Sequence, residues 1–203
     1  MKIHHCEQLS PEWFELKRGI SSASSADKIL TPGGKLSAQS EGYLNCLLAE
    51  KAGYGDEPME PTEWMQRGLE LEPEARAVFE VETDLKVYQT GWITNNEGTA
   101  GCSPDGMVDR GGLEFQTGWE VKCPKASTHF GYLRGGILPP YYKPQVHMSM
   151  AVTGLNEWYF MTYYPGLKPL IVLVERNEYT DKVVVALAEF IQLLAEESKR
   201  FGL

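Results

Sequence analysis

Apolar positions along the chain switch between two periods, and the order of the switches predicts a mixed fold. Ser10-Pro11-Glu12 opens a helix with serine as N-cap and proline in the first turn; it runs toward Arg18 and ends at Gly19. Ser21 and Ser22 offer an N-cap for a short helix to about Leu30, closed by the Pro32-Gly33-Gly34 turn. Ala38–Ala52 and Thr62–Glu82 follow the helical period, with Pro73 expected to distort the second. Lys86–Thr94, Thr99–Asp109 and Phe115–Cys123 are rich in Val, Tyr, Trp and Ile between Asn-Gly-type or Gly-Gly breaks, as in a three-strand meander. Helices over Lys125–Leu133 and Tyr141–Thr153 follow, then strands over Trp158–Tyr164 and Leu170–Glu175. A last helix over about Asp181–Arg200 carries an apolar stripe of Val183, Leu187, Phe190, Ile191 and Leu194. The expected class is α/β or α+β, a central mixed sheet flanked by helices.

Composition narrows the class. At 203 residues, against roughly 100 to 200 per domain, the chain reads as one domain, 1–203. No apolar run approaches the roughly 18 residues that span a bilayer, and Met1-Lys2-Ile3-His4-His5 opens no signal peptide, so no membrane partner and a cytoplasmic location are expected. Cys6, Cys46, Cys102 and Cys123 lack the short spacings of zinc or iron–sulfur sites and read as free thiols. The net charge of −9 argues against a protein that coats nucleic acid through overall charge. It leaves room for an enzyme whose basic residues line one groove.

Two segments carry chemistry: Ser103-Pro104-Asp105-Gly106 and Trp119-Glu120-Val121-Lys122-Cys123-Pro124. On a strand, Glu120 and Lys122 share a face while Val121 takes the other. Placing Asp105 opposite Glu120 in an antiparallel hairpin centres the turn between Gly112 and Leu113, beside the Gly111-Gly112 pair. Two such carboxylates repel by about 4 kcal/mol at an effective dielectric of about 20, so the arrangement calls for a cation. Oxygen ligands favour Mg2+, with Mn2+ as substitute. That ion, with Lys122 to orient a water or stabilise developing charge, points to phosphodiester hydrolysis. Read singly, Pro-Asp-Gly is a common turn and Glu-x-Lys a common solvated strand face.

Asp105 followed by Glu120-Val121-Lys122 resembles the PD-(D/E)xK nuclease signature, and its surroundings resemble the lambda exonuclease or YqaJ-type viral recombinase branch. The similar segments are Trp13–Ser24, Gly68–Arg76, Gly101–Gly106, Glu120–Pro124 and Gln145–Met150, in the family's order. The resemblance implies a restriction-endonuclease-like core. It makes Asp105, Glu120 and the Val121 carbonyl metal ligands, Lys122 the catalytic lysine, Glu72 a further helical carboxylate, and Gln145 a contact to the water or scissile phosphate. It also implies that Ser22, Ser24 and a preceding basic residue hold a DNA 5′-phosphate; Lys17 stands at the family's arginine position and Arg18 beside it. Met65 falls where relatives place a wedge between terminal base pairs, and His147 departs from a glutamine. The implied activity is a Mg2+-dependent 5′-to-3′ exonuclease on linear double-stranded DNA ends, from a phage or prophage, in a homotrimeric ring with a single-strand annealing protein as partner. An endonuclease of this fold and a non-catalytic DNA-end-binding module are the rival readings.

Overall fold

The computed structural model describes residues 1–55, 62–111 and 115–203. The N-terminal part contributes β1 (Lys2–His4), α1 (Pro11–Lys17), β2 (Ser21–Ser22) and α2 (Ser40–Lys51). The centre holds α3 (Glu63–Thr83), β3 (Lys86–Tyr88), β4 (Trp92–Thr94), β5 (Ala100–Cys102), β6 (Gly106–Asp109) and β7 (Thr117–Lys122). Then come α4 (Ala126–Gly135), α5 (Lys143–Thr153), β8 (Glu157–Thr162), β9 (Leu170–Glu175) and α6 (Glu178–Phe201). Two mixed sheets result, ordered β1-β4-β5-β2 and β3-β6-β7-β8-β9. The β7–β8 pair is parallel, and its connection contains α4 and α5, the crossover that parallel neighbours require.

The meander has the expected order but not the expected continuity. Lys86 pairs with Asp109 and Tyr88 with Met107; further along, Ile93 pairs with Cys102 and Thr94 with Gly101. All four pairs keep one antiparallel register, so β3-β4 and β5-β6 are the arms of a single hairpin snapped midway, half in each sheet. The break has local causes. Pro104 has no N–H to give the ladder, and Gly91 lies so close to Cys6 that a Cβ there would meet the Cys6 carbonyl oxygen at 2.2 Å. Gln8 fastens both sides of the break, its Nε2 donating to the carbonyls of Thr90 (3.0 Å) and Pro104 (2.9 Å).

Helices cover both faces of the larger sheet. Ala75 and Phe79 of α3 pack with Trp119, Val121, Met161 and Tyr163 on one face. On the other, α5 and α6 pack with Trp158 and Phe160 in a core that also takes in Tyr43 and Leu47 of α2. The α3 helix runs unbroken through Pro73, against the expected distortion; its packed Ala75 and Phe79 offset the one lost backbone hydrogen bond. The short helix after Ser22 is a 3₁₀ segment, Ala23–Lys28, with non-helical backbone at Ser25. The apolar stripe of α6 is spent inside the fold: Val183, Leu187, Phe190 and Leu194 are buried, Phe190 stacked on Tyr43 at 5.4 Å. No helix among the described residues is long and apolar enough to cross a membrane, and all four cysteines are free.

Candidate active site

The site grows from the β6–β7 pair. Gly106 faces Trp119 and Met107 faces Gly118, so one step outward the register sets Asp105 opposite Glu120, as the sequence predicts. The turn that joins the strands lies partly outside the described residues, which omit Gly112 and Leu113. Asp105 itself sits in the hairpin's break, where its Oδ2 accepts a 2.7 Å hydrogen bond from the Val121 N–H. Strand alternation turns Val121 to the α3 side and Glu120 to the α5 side. There Glu120 Oε1 accepts from Lys122 Nζ at 2.5 Å and from Gln145 Nε2 at 2.6 Å. Gln145 lies in the first turn of α5, so the crossover that makes β7 and β8 parallel also delivers the amide to the carboxylate. Asp105, Val121 and Lys122 line a cleft of about 1140 Å³.

Charge is concentrated and poorly solvated here. Glu120 is 2% exposed. Burial, and then the neighbouring Glu120 and Glu72 carboxylates, raise the Asp105 carboxyl well above the usual range against the opposing pull of Lys122. Burial by itself lowers the Lys122 ammonium, but Glu120 and Asp105 outweigh it and hold the amine protonated beyond its ordinary range. Two confined carboxylates with one cation paired to Glu120, beside a cleft, fit a divalent ion held by Asp105, Glu120 and the Val121 carbonyl. Glu72 lines the same cleft, with its Oε1 paired to Arg76 at 2.7 Å. Among the described residues no three Asp, Glu, His or Cys side chains converge as a ready-made cage.

A model of the YqaJ-like viral recombinase domain matches residues 12–156. The chain belongs to that family. No curated protein matches its sequence. Among solved structures, an alkaline exonuclease from Laribacter hongkongensis, LHK-Exo, is similar at a TM-score of 0.81 and 27% identity, over 95% of this chain and 96% of that one. LHK-Exo in complex with dAMP gives a TM-score of 0.74 and 28% identity, over 95% and 98%. A phage-related exonuclease from Haemophilus somnus shares the fold at a TM-score of 0.61 and 16% identity, over 88% and 96%. The fold is therefore the alkaline-exonuclease version of the PD-(D/E)xK core.

In this YqaJ-like protein the residues that the resemblance assigns to the 5′-phosphate gather at a second cleft of about 500 Å³, lined by Lys17, Arg18, Ser22, Ser24 and Glu50. Lys17 also lines the catalytic cleft, whereas Arg18 does not and pairs with Glu15 at 2.8 Å. The Lys17 ammonium lies 3.6 Å over the Trp13 ring. Burial lowers it to about 8, partly countered by Glu50. Ser22 and Ser24 share a 2.6 Å hydrogen bond between hydroxyls. Their 3₁₀ segment, Ala23–Lys28, is too short and irregular to supply an α-helix dipole. Met65 is half exposed in the catalytic cleft wall. His147 is buried, its Nδ1 2.7 Å from the Thr180 hydroxyl. The sequence gives no sign of two supports. Gln8 clamps the hairpin break, and Trp13 Nε1 donates to Ser103 Oγ at 2.7 Å, so the platform beneath Lys17 also braces the loop carrying Asp105.

Proposed function

We propose that this protein is a Mg2+-dependent exonuclease, with Mn2+ as a substitute, that degrades one strand of linear double-stranded DNA from 5′ to 3′. It releases mononucleotides and leaves a 3′ single strand for phage-type recombination. The observation that carries the reading is that Asp105 and Lys122 line one cleft, with Glu120 and Gln145 hydrogen-bonded in behind Lys122, in a YqaJ-like chain. LHK-Exo, similar over nearly the whole chain, is an alkaline exonuclease, and one of its structures contains the mononucleotide dAMP.

In this reading Asp105, Glu120 and the Val121 carbonyl hold the ion, with Glu72 as a further carboxylate when released from Arg76. A bound divalent ion would polarise a phosphoryl oxygen and lower the pKa of a water. Lys122 meets the phosphate as a fixed positive charge, held in place by Glu120, and stabilises charge as it develops. Gln145 keeps the Glu120 carboxylate from rotating, so the site is set before substrate arrives. Lys17, flanked by Arg18 and near Ser22 and Ser24, holds the 5′-phosphate, and Met65 wedges against the terminal base pair. A homotrimeric ring would turn the acidic faces outward and keep the strand threaded, and a single-strand annealing protein would take the 3′ product.

The test is purified protein with Mg2+ and linear or closed-circular duplex DNA labelled at either end. Linear DNA losing nucleotides from its 5′ ends while circles persist supports the reading. Nicked or cleaved circles would favour an endonuclease, and binding without any cleavage a non-catalytic end-binding module. Light scattering near three times the 22.8 kDa chain mass checks the ring.

A further inference from the structure

The catalytic cleft displays large aromatic surface that the site's charge chemistry does not use. Tyr141 is 73% exposed and Trp64 55% exposed, and both line the cleft that holds Asp105 and Lys122. The Tyr141 ring is not a loosely placed surface side chain. Tyr141 ends an aromatic ladder: the fully buried Phe160 packs on Tyr142 at 5.2 Å, and Tyr142 meets Tyr141 edge-to-face at 5.0 Å. Lys122 Nζ lies 5.7 Å from the Tyr142 ring, so the ladder passes beside the lysine that faces the phosphate. Trp64 stands in the first turn of α3, capped by the Thr62 hydroxyl accepting from the Met65 N–H. A wet indole and phenol held along a groove floored by cations match the two faces of a nucleotide, flat π surface and anionic phosphate.

We propose that Tyr141 and Trp64 form a nucleobase-stacking subsite at the rim of the cleft, receiving unpaired bases of the strand whose phosphate sits at Lys122. The proposal rests on the nuclease reading above and adds the ligand class of a specific subsite. The ring that Tyr141 offers is already ordered by Tyr142, so stacking immobilises little further side-chain freedom. Stacking tolerates every base, because each has a π face, and suits an enzyme that must digest any sequence. It also acts chiefly on binding: the rings grip substrate and transition state alike, so their loss raises KM more than it lowers kcat.

The experiment compares 5′-phosphorylated duplexes carrying one abasic nucleotide, stepped through the first three positions of the degraded strand, with an intact duplex. With the wild type and Mg2+, an abasic site at the stacking position should reduce kcat/KM by about 5- to 150-fold, the range for one base–aromatic stack. Tyr141→Leu/Trp64→Leu should lose activity on intact DNA by a similar factor and become indifferent to the abasic site, the non-additivity of two partners in one contact. Tyr141→Phe keeps the ring and should keep the discrimination. Trp64 also reports directly: the other four tryptophans, at positions 13, 92, 119 and 158, are 7% exposed or less. DNA should therefore shield its emission from acrylamide, and abasic DNA should not. Equal rates on abasic and intact ends by the wild type, or discrimination retained by the double leucine variant, would overturn the subsite while leaving the nuclease reading intact. Failure of the wild type to cut intact DNA would instead overturn the nuclease reading.

Discussion

Asp105 reaches across the strand boundary to the backbone of Val121, its Oδ2 accepting the N–H of the residue between Glu120 and Lys122. A residue lying outside regular structure thereby gains a fixed address on β7, and the carboxylate pair is held by main chain rather than by side-chain chance. Main-chain anchoring matters because the two acids repel. Burial and the Glu120 charge both oppose ionisation of Asp105, so a mobile loop would let them separate.

Removing the charged partners should abolish turnover without unfolding the protein. Asp105→Ala and Lys122→Ala should each lower kcat by about 10²- to 10³-fold, the scale for losing one group that stabilises transition-state charge. Gln145→Leu removes one of two hydrogen bonds to Glu120 Oε1 and should cost about tenfold, the equivalent of one charge-assisted bond. Circular dichroism should remain unchanged in all three. A Lys122→Ala protein retaining a tenth of wild-type turnover would remove that lysine from the chemistry.

Lys17 should make recognition of the DNA end pH-dependent. Burial lowers its ammonium to about 8, so the charge that meets a 5′-phosphate is present below that pH and lost above it. The ratio of kcat/KM on 5′-phosphorylated over 5′-hydroxyl ends, which reports the free enzyme, should fall as pH rises through 8. Lys17→Arg keeps its charge throughout and should flatten the profile, whereas Arg18→Ala should leave it unchanged. A wild-type ratio constant from pH 7 to pH 9.5 would exclude Lys17 as the phosphate contact.

Much of this site is legible in the sequence because local rules fix it. Alternation puts Glu120 and Lys122 on one face, and hairpin register puts Asp105 opposite Glu120. What stayed hidden depends on contacts distant along the chain. The hairpin snaps because Gly91 meets Cys6 and Gln8 holds the Thr90 and Pro104 carbonyls, pairings without a local signature. β1 spans only three residues, too few for a period to register. The sequence of the α6 stripe leaves an interface open beside core packing, the simpler reading, and the positions of Tyr43 on α2 and of α5 assign it to the core.

Gly118 should tolerate no side chain. It pairs with Trp158 across the parallel β7–β8 ladder, and a Cβ would fall 2.3 Å from Trp158 Cη2. The indole is fully buried and has nowhere to retreat, so Gly118→Ala should cost about 1 to 3 kcal/mol in urea unfolding, as overpacked cores do. Because Gly118 lies two residues from Glu120 on the same face, activity should fall with it. Trp158→Phe frees space at the clash, so the double variant should be more stable than the sum of the two single costs. Strict additivity would place the cost elsewhere.

His147 should make the fold acid-sensitive. Burial first, and then the Lys143 charge, lower its imidazole to about 4. It is held by the Thr180 hydroxyl and packed edge-to-face on Tyr179 at 5.0 Å. In the unfolded chain a histidine titrates near 6.5, so between that pH and about 4 the unfolded state takes up a proton that the native state refuses. Stability therefore holds above pH 6.5 and declines as pH falls toward 4. The loss between pH 7 and pH 5 amounts to about 2 kcal/mol from this group. His147→Gln lacks the titration, so its unfolding free energy should fall less over that interval by the same amount, whatever its stability at pH 7. Comparing the two slopes cancels the opposite contribution of Asp105, whose raised carboxyl favours the native state as pH falls. Parallel pH profiles for the two proteins would show that the imidazole is protonated, or freely hydrated, inside the fold.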